Sequence, residues 1–287
     1  MDAPPDKEDC GRFVRIASQL ESMGLNAPQV LSANPEQGFL LLTDLGSARY
    51  LELLKSNPDR ASELYGDAIA ALVTMQRAGA QYQSTLPPYD DKLLSIELSL
   101  FIEWLCKRHL AIDLTTAELQ QWSAVCELLR ANAHAQPQVF VHRDYHSRNL
   151  MFDAQNNPGI LDFQDAVEGP YTYDIVSLLK DCYINWPAEE VLSWALSFFR
   201  DLQDDLDESI NEEVFVRQFE LMGVQRQLKA AGIFARLNHR DGKSGYVKDI
   251  PRTLNYVMDT TSQYDELTFL HEFVGTRVLP ALLGESR

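Results

Sequence analysis

Two short segments near the middle of the chain carry the residue types that phosphoryl transfer requires. Asp144 and Asn149 stand five positions apart in the first segment, and Asp162 follows thirteen positions after Asn149. A carboxylate can accept the proton of an attacking hydroxyl, while an amide oxygen and a second carboxylate can hold Mg²⁺ against nucleotide phosphates. We therefore expect Asp144 to be the catalytic base, and Asn149 and Asp162 to be metal ligands.

Four neighbouring residues are expected to support this chemistry. Asp165 is a candidate ligand for a second ion or for the substrate, although an aspartate on a loop often only caps it. His142 and His146 are expected to lock the loop by hydrogen bonds rather than to transfer protons, because no partner stands at zinc-ligand spacing. Asp174 opens a predicted helix, where it either serves as the N-cap or braces the catalytic loop.

These residues are predicted to lie on loops at strand ends, within a mainly helical chain. Apolar runs and turn residues predict strands at 30–33, 38–43, 139–141, 150–152 and 159–161, with the last two joined as a hairpin. Helical periodicity predicts helices at 7–23, 62–76, 93–110, 116–132, 173–181, 188–202, 212–235, 251–260 and 265–282. Catalytic groups commonly lie on loops that such rigid elements hold in place.

Composition and charge argue against several classes of partner. The chain has 287 residues and a net charge of −17, which argues against nucleic acids and anionic membranes as partners. The charge itself names no substrate, and the small-molecule substrate is expected from the phosphoryl-transfer motifs. No apolar run has the length of a membrane span, and residues 1–5 lack the features of a signal peptide. The four cysteines form no Cys-x-x-Cys pair, so we expect reduced thiols and a cytoplasmic location. The oligomeric state stays open.

The central motifs resemble those of the aminoglycoside phosphotransferase and choline kinase superfamily. The segment 141–149 carries the pattern His-x-Asp-x-His-x-x-Asn, and 161–166 and 169–175 look like the metal loop and the helix-opening aspartate of that superfamily. The resemblance implies an α+β, protein-kinase-like fold of two lobes, with ATP and Mg²⁺ as cofactors. Residues 1–46 would be the remnant of an N-lobe with an incomplete sheet and a hinge, and 47–287 a large, mostly helical C-lobe.

Several segments resemble one bacterial branch of that superfamily, the anomeric sugar kinases that phosphorylate N-acetylmuramate and N-acetylglucosamine at C1 in cell-wall recycling. The segments are 1–5, 38–46, 223–229 and 232–237, with 240–243 following. The resemblance implies that Asp144 takes the proton of the C1 hydroxyl and that ATP donates its γ-phosphate. It also implies that the backbone of Asp44 and Leu45 forms the hinge that meets the adenine.

One basic segment bears on the charge of the substrate. Between Arg217 and Arg252 there are eight Lys or Arg and three Asp or Glu, a local reversal in an acidic chain. Arginine pairs well with carboxylates and phosphates, so Arg226, Arg236 and Arg240 are candidate substrate ligands, and a polycationic aminoglycoside fits poorly. The alternative is a solvated helix face that pairs with the acidic stretch 201–213.

The segment before the hinge is short for a kinase N-lobe. About one strand and one helix fit before residue 44, and no two of the 14 glycines are separated by a single residue, so no Gly-x-Gly phosphate loop exists. We expect that the chain starts inside the N-lobe, lacks the nucleotide lid and transfers phosphate poorly. Three functions stay open, namely an amino-sugar 1-kinase, an aminoglycoside kinase and a catalytically inactive binding or regulatory module.

Overall fold

The computed structural model describes residues 1–2 and 9–284, and it combines many helices with short strands. The helices are α1 (Cys10–Ser22), α2 (Tyr50–Ser56), α3 (Ala61–Gly79), α4 (Asp91–Leu100), α5 (Thr116–His134), α6 (Tyr173–Leu179), α7 (Ala188–Leu202), α8 (Glu212–Asp241), α9 (Ile250–Thr261), α10 (Thr268–Phe273) and α11 (Leu279–Leu282). The strands are β1 (Val30–Asn34), β2 (Phe39–Leu42), β3 (Gln138–Val141), β4 (Leu150–Met151), β5 (Gly159–Ile160) and β6 (Val167–Pro170). The predicted α+β class is confirmed. The segment 3–8, on which part of the first predicted helix and of the resemblance falls, lies outside the described residues.

The chain forms two compact units. Unit 1 comprises Met1–Pro88 and Pro137–Ser209, and unit 2 comprises Tyr89–Gln136 and Ile210–Arg287. Residues 1–46 share unit 1 with 47–88 and 137–209, because α1 packs against β1 and α3. The units therefore divide the chain elsewhere than at residue 46, and the predicted lobes, 1–46 and 47–287, stay a prediction.

Antiparallel strand pairs in unit 1 frame the central motifs. β4 pairs with β5 as the predicted hairpin, and β1 pairs with β2. β3 pairs with β6, whose four residues were not predicted as a strand. Glycine and proline are uncommon in strands, so Gly169 and Pro170 predict a turn. Pro170 is the last residue of β6, where the missing N–H does not interrupt the hydrogen bonds of the strand pair.

Unit 2 is built around the long helix α8. The side chain of Asn211 accepts a hydrogen bond from the Val214 amide (3.0 Å) and caps its start. The helix continues six residues beyond the predicted end at 235 and stops at Gly242, whose φ of +67° suits glycine. Helix α4 passes directly into a π-helical segment, Phe101–His109, so the single α-helix predicted for 93–110 changes type midway.

Two features hold α8 against α4. A Cβ built on Gly232 would lie 2.4 Å from the Leu100 carbonyl carbon, so only glycine allows this close approach. The Lys229 ammonium lies 3.0 Å from the Glu97 carboxylate, and both side chains are nearly inaccessible to solvent. Gln225 donates to Glu97 (3.1 Å) and to the Tyr89 hydroxyl (2.8 Å). Burial of these charges is tolerated because each is paired and hydrogen-bonded.

No helix within residues 1–2 and 9–284 combines the length and the apolar character that crossing a membrane requires.

Candidate active site

The predicted catalytic loop, residues 142–149, connects β3 to β4 in unit 1. Its second residue, Arg143, has φ +78°, in the left-handed region that residues other than glycine rarely adopt. The amide of Asp144 donates to His142 Nδ1 (3.2 Å), and its carbonyl accepts from the His146 amide and from Asn149 Nδ2, both at 3.0 Å. Both peptide groups of the predicted base are therefore held in place.

A buried carboxylate stabilises the strained start of this loop. Asp174 is fully buried and accepts hydrogen bonds from the amides of His142 (2.6 Å) and Arg143 (3.0 Å). Helix α6 begins one residue earlier, at Tyr173, so Asp174 is not the N-cap. These contacts are what a bracing role requires, and hydrogen bonds to a charged acceptor are stronger than neutral ones.

The fully buried imidazole of His142 is neutral at physiological pH. Burial lowers the pKa of His142 from its ordinary 6.5 to about 4, and the nearby carboxylates of Asp144 and Asp162 raise it only partly. Because Nδ1 accepts from the Asp144 amide, the proton lies on Nε2. A neutral ring that receives a backbone hydrogen bond suits the predicted locking role. His146 packs edge-on against Tyr183, with ring centroids 5.5 Å apart.

The two predicted metal ligands lie side by side. Asn149 Nδ2 is 3.2 Å from Asp162 Oδ2, and the Leu161 amide donates to the Asn149 carbonyl (2.9 Å), which ties the two loops together. Asp162 follows β5 with φ +64°, a second left-handed residue at this site. Gln164 Nε2 donates to Asp162 Oδ1 (2.9 Å). The structure therefore brings together the residues that the motif singles out.

The donor set fits a magnesium ion that binds together with nucleotide phosphates. Mg²⁺ prefers oxygen ligands and is commonly held by one or two carboxylates plus substrate phosphates and water. The Asp162 carboxylate and the Asn149 amide offer such oxygens from neighbouring positions. In the part of the chain that the structure describes, no group of three or more His, Cys, Asp or Glu could hold a metal.

Helix α1 contacts the metal loop through residues that the sequence did not single out. Arg12 Nη2 donates to the Ala166 carbonyl (2.8 Å), and Arg12 Nη1 lies 3.7 Å from Asp165 Oδ1. The Phe13 and Phe163 rings pack with centroids 4.8 Å apart. The exposed Asp165 side chain is thus an ion-pair partner of α1, and its predicted direct role stays a prediction. The only sequence feature that could indicate this contact was the apolar face of α1, which includes Phe13.

The predicted hinge lies against the hairpin that precedes the metal loop. Asp44 accepts from the Gly46 amide through its side chain (2.8 Å), which forms an Asx turn after β2. A Cβ built on Gly159 would lie 3.0 Å from Leu45 Cδ1 and 3.2 Å from Met151 Cβ. Leu45 therefore packs closely on Gly159 of β5. Contact of Asp44 and Leu45 with adenine stays a prediction.

The three arginines predicted to bind substrate lie in unit 2, on α8. Arg240 forms two hydrogen bonds with Asp241, of 2.7 and 2.9 Å. Arg226 is buried, and burial together with the charge of Arg240 lowers the pKa of the partly buried Arg236. Four residues of the basic segment pair with acids outside 201–213, namely Arg217 with Glu266, Lys229 with Glu97, Arg240 with Asp241 and Arg252 with Asp249. The alternative of a helix face that pairs with 201–213 and the substrate role of the three arginines both stay predictions.

Comparison with known proteins places this site in a family. A model of the phosphotransferase enzyme family matches residues 1–212. An N-acetylmuramate/N-acetylglucosamine kinase of Pseudomonas aeruginosa is 43% identical over 277 residues, which span 96% of this chain and 80% of that protein. A kinase of the same name from Neisseria meningitidis is 41% identical in an alignment that spans 97% of this chain and 84% of that protein.

Solved structures share the fold at low sequence identity. A choline kinase from Cryptosporidium parvum matches with a TM-score of 0.59 at 14% identity, over 94% of this chain and 83% of that one. The ADP-bound aminoglycoside phosphotransferase APH(2'')-Ib matches with a TM-score of 0.54 at 19% identity, over 86% of this chain and 81% of that one. These matches confirm the predicted kinase-like fold.

Proposed function

The chain belongs to the phosphotransferase enzyme family, and we propose that it transfers the γ-phosphoryl group of ATP to the C1 hydroxyl of N-acetylmuramate or N-acetylglucosamine. The observation that carries the proposal is that the side-chain amide of Asn149 donates to the Asp144 carbonyl (3.0 Å) and lies 3.2 Å from the Asp162 carboxylate, so that one residue links the other two. The choice of acceptor is supported by the names of relatives that are 43% and 41% identical over almost the whole chain.

The residues of the loop would perform the transfer as follows. Asp144 accepts the proton of the C1 hydroxyl while the hydroxyl oxygen attacks the γ-phosphorus. The bond from that phosphorus to the β–γ bridging oxygen breaks, and its electron pair leaves with ADP. The products are the sugar 1-phosphate, ADP and one proton, which Asp144 releases to water. Because both peptide groups of Asp144 are hydrogen-bonded, its backbone needs little reorganisation before the carboxylate acts.

Asn149 and Asp162 would hold Mg²⁺ beside Asp144. When bound, the ion neutralises the charge of the β- and γ-phosphates and the charge that develops between them. The hydrogen bond between Asn149 and the Asp144 carbonyl links the metal ligand to the base, so that one loop sets the positions of both. Gln164 restricts the Asp162 carboxylate from the other side. ATP as the nucleotide is supported by the kinase names of the relatives.

The arginines of α8 give less support for a negatively charged acceptor than the sequence alone suggested. Arg240 already forms a bidentate pair with Asp241, and breaking that pair would offset part of the energy gained from a substrate carboxylate. An aminoglycoside kinase therefore stays a competing function, and a comparison of substrates distinguishes it from an amino-sugar kinase. An inactive binding module is disfavoured because the base and both metal ligands are held in a common site.

The test compares ATP consumption with N-acetylmuramate, N-acetylglucosamine and kanamycin as acceptors, in the presence of Mg²⁺. Asp144→Asn keeps the size of the side chain but cannot accept the proton, so we expect turnover to fall by about 10²- to 10⁴-fold. Turnover on the amino sugars that this variant loses supports the proposal. Turnover on kanamycin alone would make the protein an aminoglycoside kinase, and nucleotide binding without turnover on any acceptor would make it a binding module.

A further inference from the structure

A second buried carboxylate contacts the catalytic loop at its far end. Asp181, two residues after the end of α6, is 1% exposed. Its Oδ2 accepts from the Ser147 amide (3.0 Å) and from the Ser147 hydroxyl, and its Oδ1 accepts from the Tyr183 amide (2.9 Å). The carboxylate thus joins the catalytic loop to the segment that follows α6.

The rest of Ser147 is held as firmly as its amide. The Ser147 carbonyl accepts from the Leu51 amide (3.0 Å), so both peptide groups and the side chain have partners. The neighbouring Arg148 guanidinium lies 3.8 Å from the centre of the Tyr183 ring. Ser147 stands three residues after the base and two before the metal ligand, so this contact fixes the half of the loop that Asp174 does not reach.

Helix α6 therefore holds the loop between two carboxylates. Asp174, at its start, accepts from the amides at the beginning of the loop, and Asp181, after its end, accepts from the later part. The two carboxylates stand seven positions apart in the sequence, and most of that interval is the helix α6. A negative charge beyond the C-terminus of a helix is unfavourable, so the position of Asp181 is explained by the loop and not by α6.

We propose that Asp181 is a positioning residue for phosphoryl transfer. It acts through Ser147 to fix Asn149, and thereby the geometry of the magnesium site relative to Asp144. The inference rests on the proposed kinase function but concerns no particular acceptor. Residues that orient metal ligands from behind commonly change metal affinity or activity by about 10- to 100-fold when they are replaced.

Asp181→Asn is the principal test. The asparagine side chain keeps the size of the carboxylate but has one acceptor oxygen where three donors converge. The backbone amides of Ser147 and Tyr183 donate to different oxygens of Asp181, so one of them loses its acceptor. We expect the Mg²⁺ concentration for half-maximal ATP binding to rise about tenfold, with nucleotide binding in EDTA unchanged. Amide hydrogen exchange in the peptide that contains Ser147 should accelerate, while exchange in unit 2 should not change.

Two further variants separate positioning from folding. Asp205→Asn makes the same chemical change at an exposed ion pair with Arg77 in the same unit, and it should leave the Mg²⁺ dependence unchanged. Ser147→Ala removes the hydroxyl but keeps the amide, so it should cause a smaller shift in the same direction. If Asp181→Asn does not fold, Ser147→Ala carries the test alone, and an unchanged Mg²⁺ dependence in that variant would then overturn the proposal.

The outcomes distinguish this proposal from the proposed function. If the unmodified chain binds ATP with Mg²⁺ but phosphorylates no amino sugar, the acceptor assignment fails, and the binding comparison still decides the role of Asp181. An unchanged Mg²⁺ dependence in Asp181→Asn would overturn the positioning role.

Discussion

The buried, neutral His142 predicts a specific dependence of stability on pH. Replacing it with asparagine keeps an acceptor near the Asp144 amide, because Asn Oδ1 can stand where Nδ1 stood. The change removes the titrating ring. Because the folded-state pKa of His142 lies below its ordinary value, the folded protein binds fewer protons than the unfolded chain between pH 6.5 and 4. The stability due to the neutral ring is therefore complete above pH 6.5 and is lost as the pH falls towards 4.

The magnitude follows from the pKa values. A shift from 6.5 to about 4 corresponds to about 3 kcal/mol in full, at about 1.4 kcal/mol per pH unit. Between pH 7.5 and pH 5.0, a group that titrates at these two values loses about 2 kcal/mol of that contribution. The difference between the wild type and the variant reports on His142 alone, because the other five histidines are present in both proteins.

The assay is urea denaturation of the wild type and of His142→Asn at pH 7.5 and pH 5.0. The variant is expected to be less stable at both pH values, because the imidazole leaves a cavity. The wild type should lose about 2 kcal/mol more than the variant between the two pH values. Equal losses in the two proteins would refute the assignment of His142 as a buried neutral ring that locks the loop.

Three further substitutions test the packing around the site and in unit 2. Asp174→Asn should lower turnover by about 10- to 100-fold in the ATP consumption assay, because one amide oxygen cannot replace two carboxylate oxygens under two backbone donors; activity near that of the wild type would contradict the bracing role. Gly232→Ala should destabilise the protein by about 1–3 kcal/mol in urea denaturation, since its methyl group would overlap the Leu100 backbone; no loss of stability would show that the two helices can separate freely. Glu97→Gln should cost about 3–5 kcal/mol by leaving Lys229 buried without its carboxylate. The double variant with Lys229→Met should recover most of that loss, and a double variant as unstable as the single one would refute this explanation.

The chemistry of the site could be predicted from the sequence because it depends on local spacing. Asp144, Asn149 and Asp162 lie in two short segments, and the turn at 156–159 predicts the hairpin that brings them together. The end of β3 was predicted for the same reason, since Val139–Val141 is apolar and stands before the loop. The partner strand β6 was not predicted, because glycine and proline are uncommon in strands and Gly169 and Pro170 therefore indicate a turn.

The supports of the site could not be predicted, because they depend on contacts between distant segments. Asp181 lies 34 residues from Ser147, and Arg12 lies 154 residues from Ala166. No local pattern relates such pairs. Asp181 is the last residue of the helix predicted at 173–181, and a single aspartate in that position gives no sign of burial. Its burial and its three hydrogen-bond donors are known only from the folded structure, in which α6 brings Asp181 to the catalytic loop.

The long helix α8 also depends on contacts between distant segments that the sequence does not show. Polar residues usually mark the solvated face of a helix, but Gln225, Gln227 and Lys229 are buried. Lys229 is matched by Glu97, on a helix more than a hundred residues earlier. A local excess of positive charge therefore suggested a binding surface, while four of its eight members are paired with acidic residues of the same unit.

We propose that Asp144 activates the C1 hydroxyl of an amino sugar towards the γ-phosphate of ATP. The most direct measurement is phosphorus NMR of the product formed from ATP, Mg²⁺ and N-acetylmuramate, with Asp144→Asn as the control. We expect a phosphate signal coupled to the proton on C1, together with loss of the reducing end, and neither with Asp144→Asn. Phosphate on another hydroxyl, or equal product from Asp144→Asn, would contradict the claim.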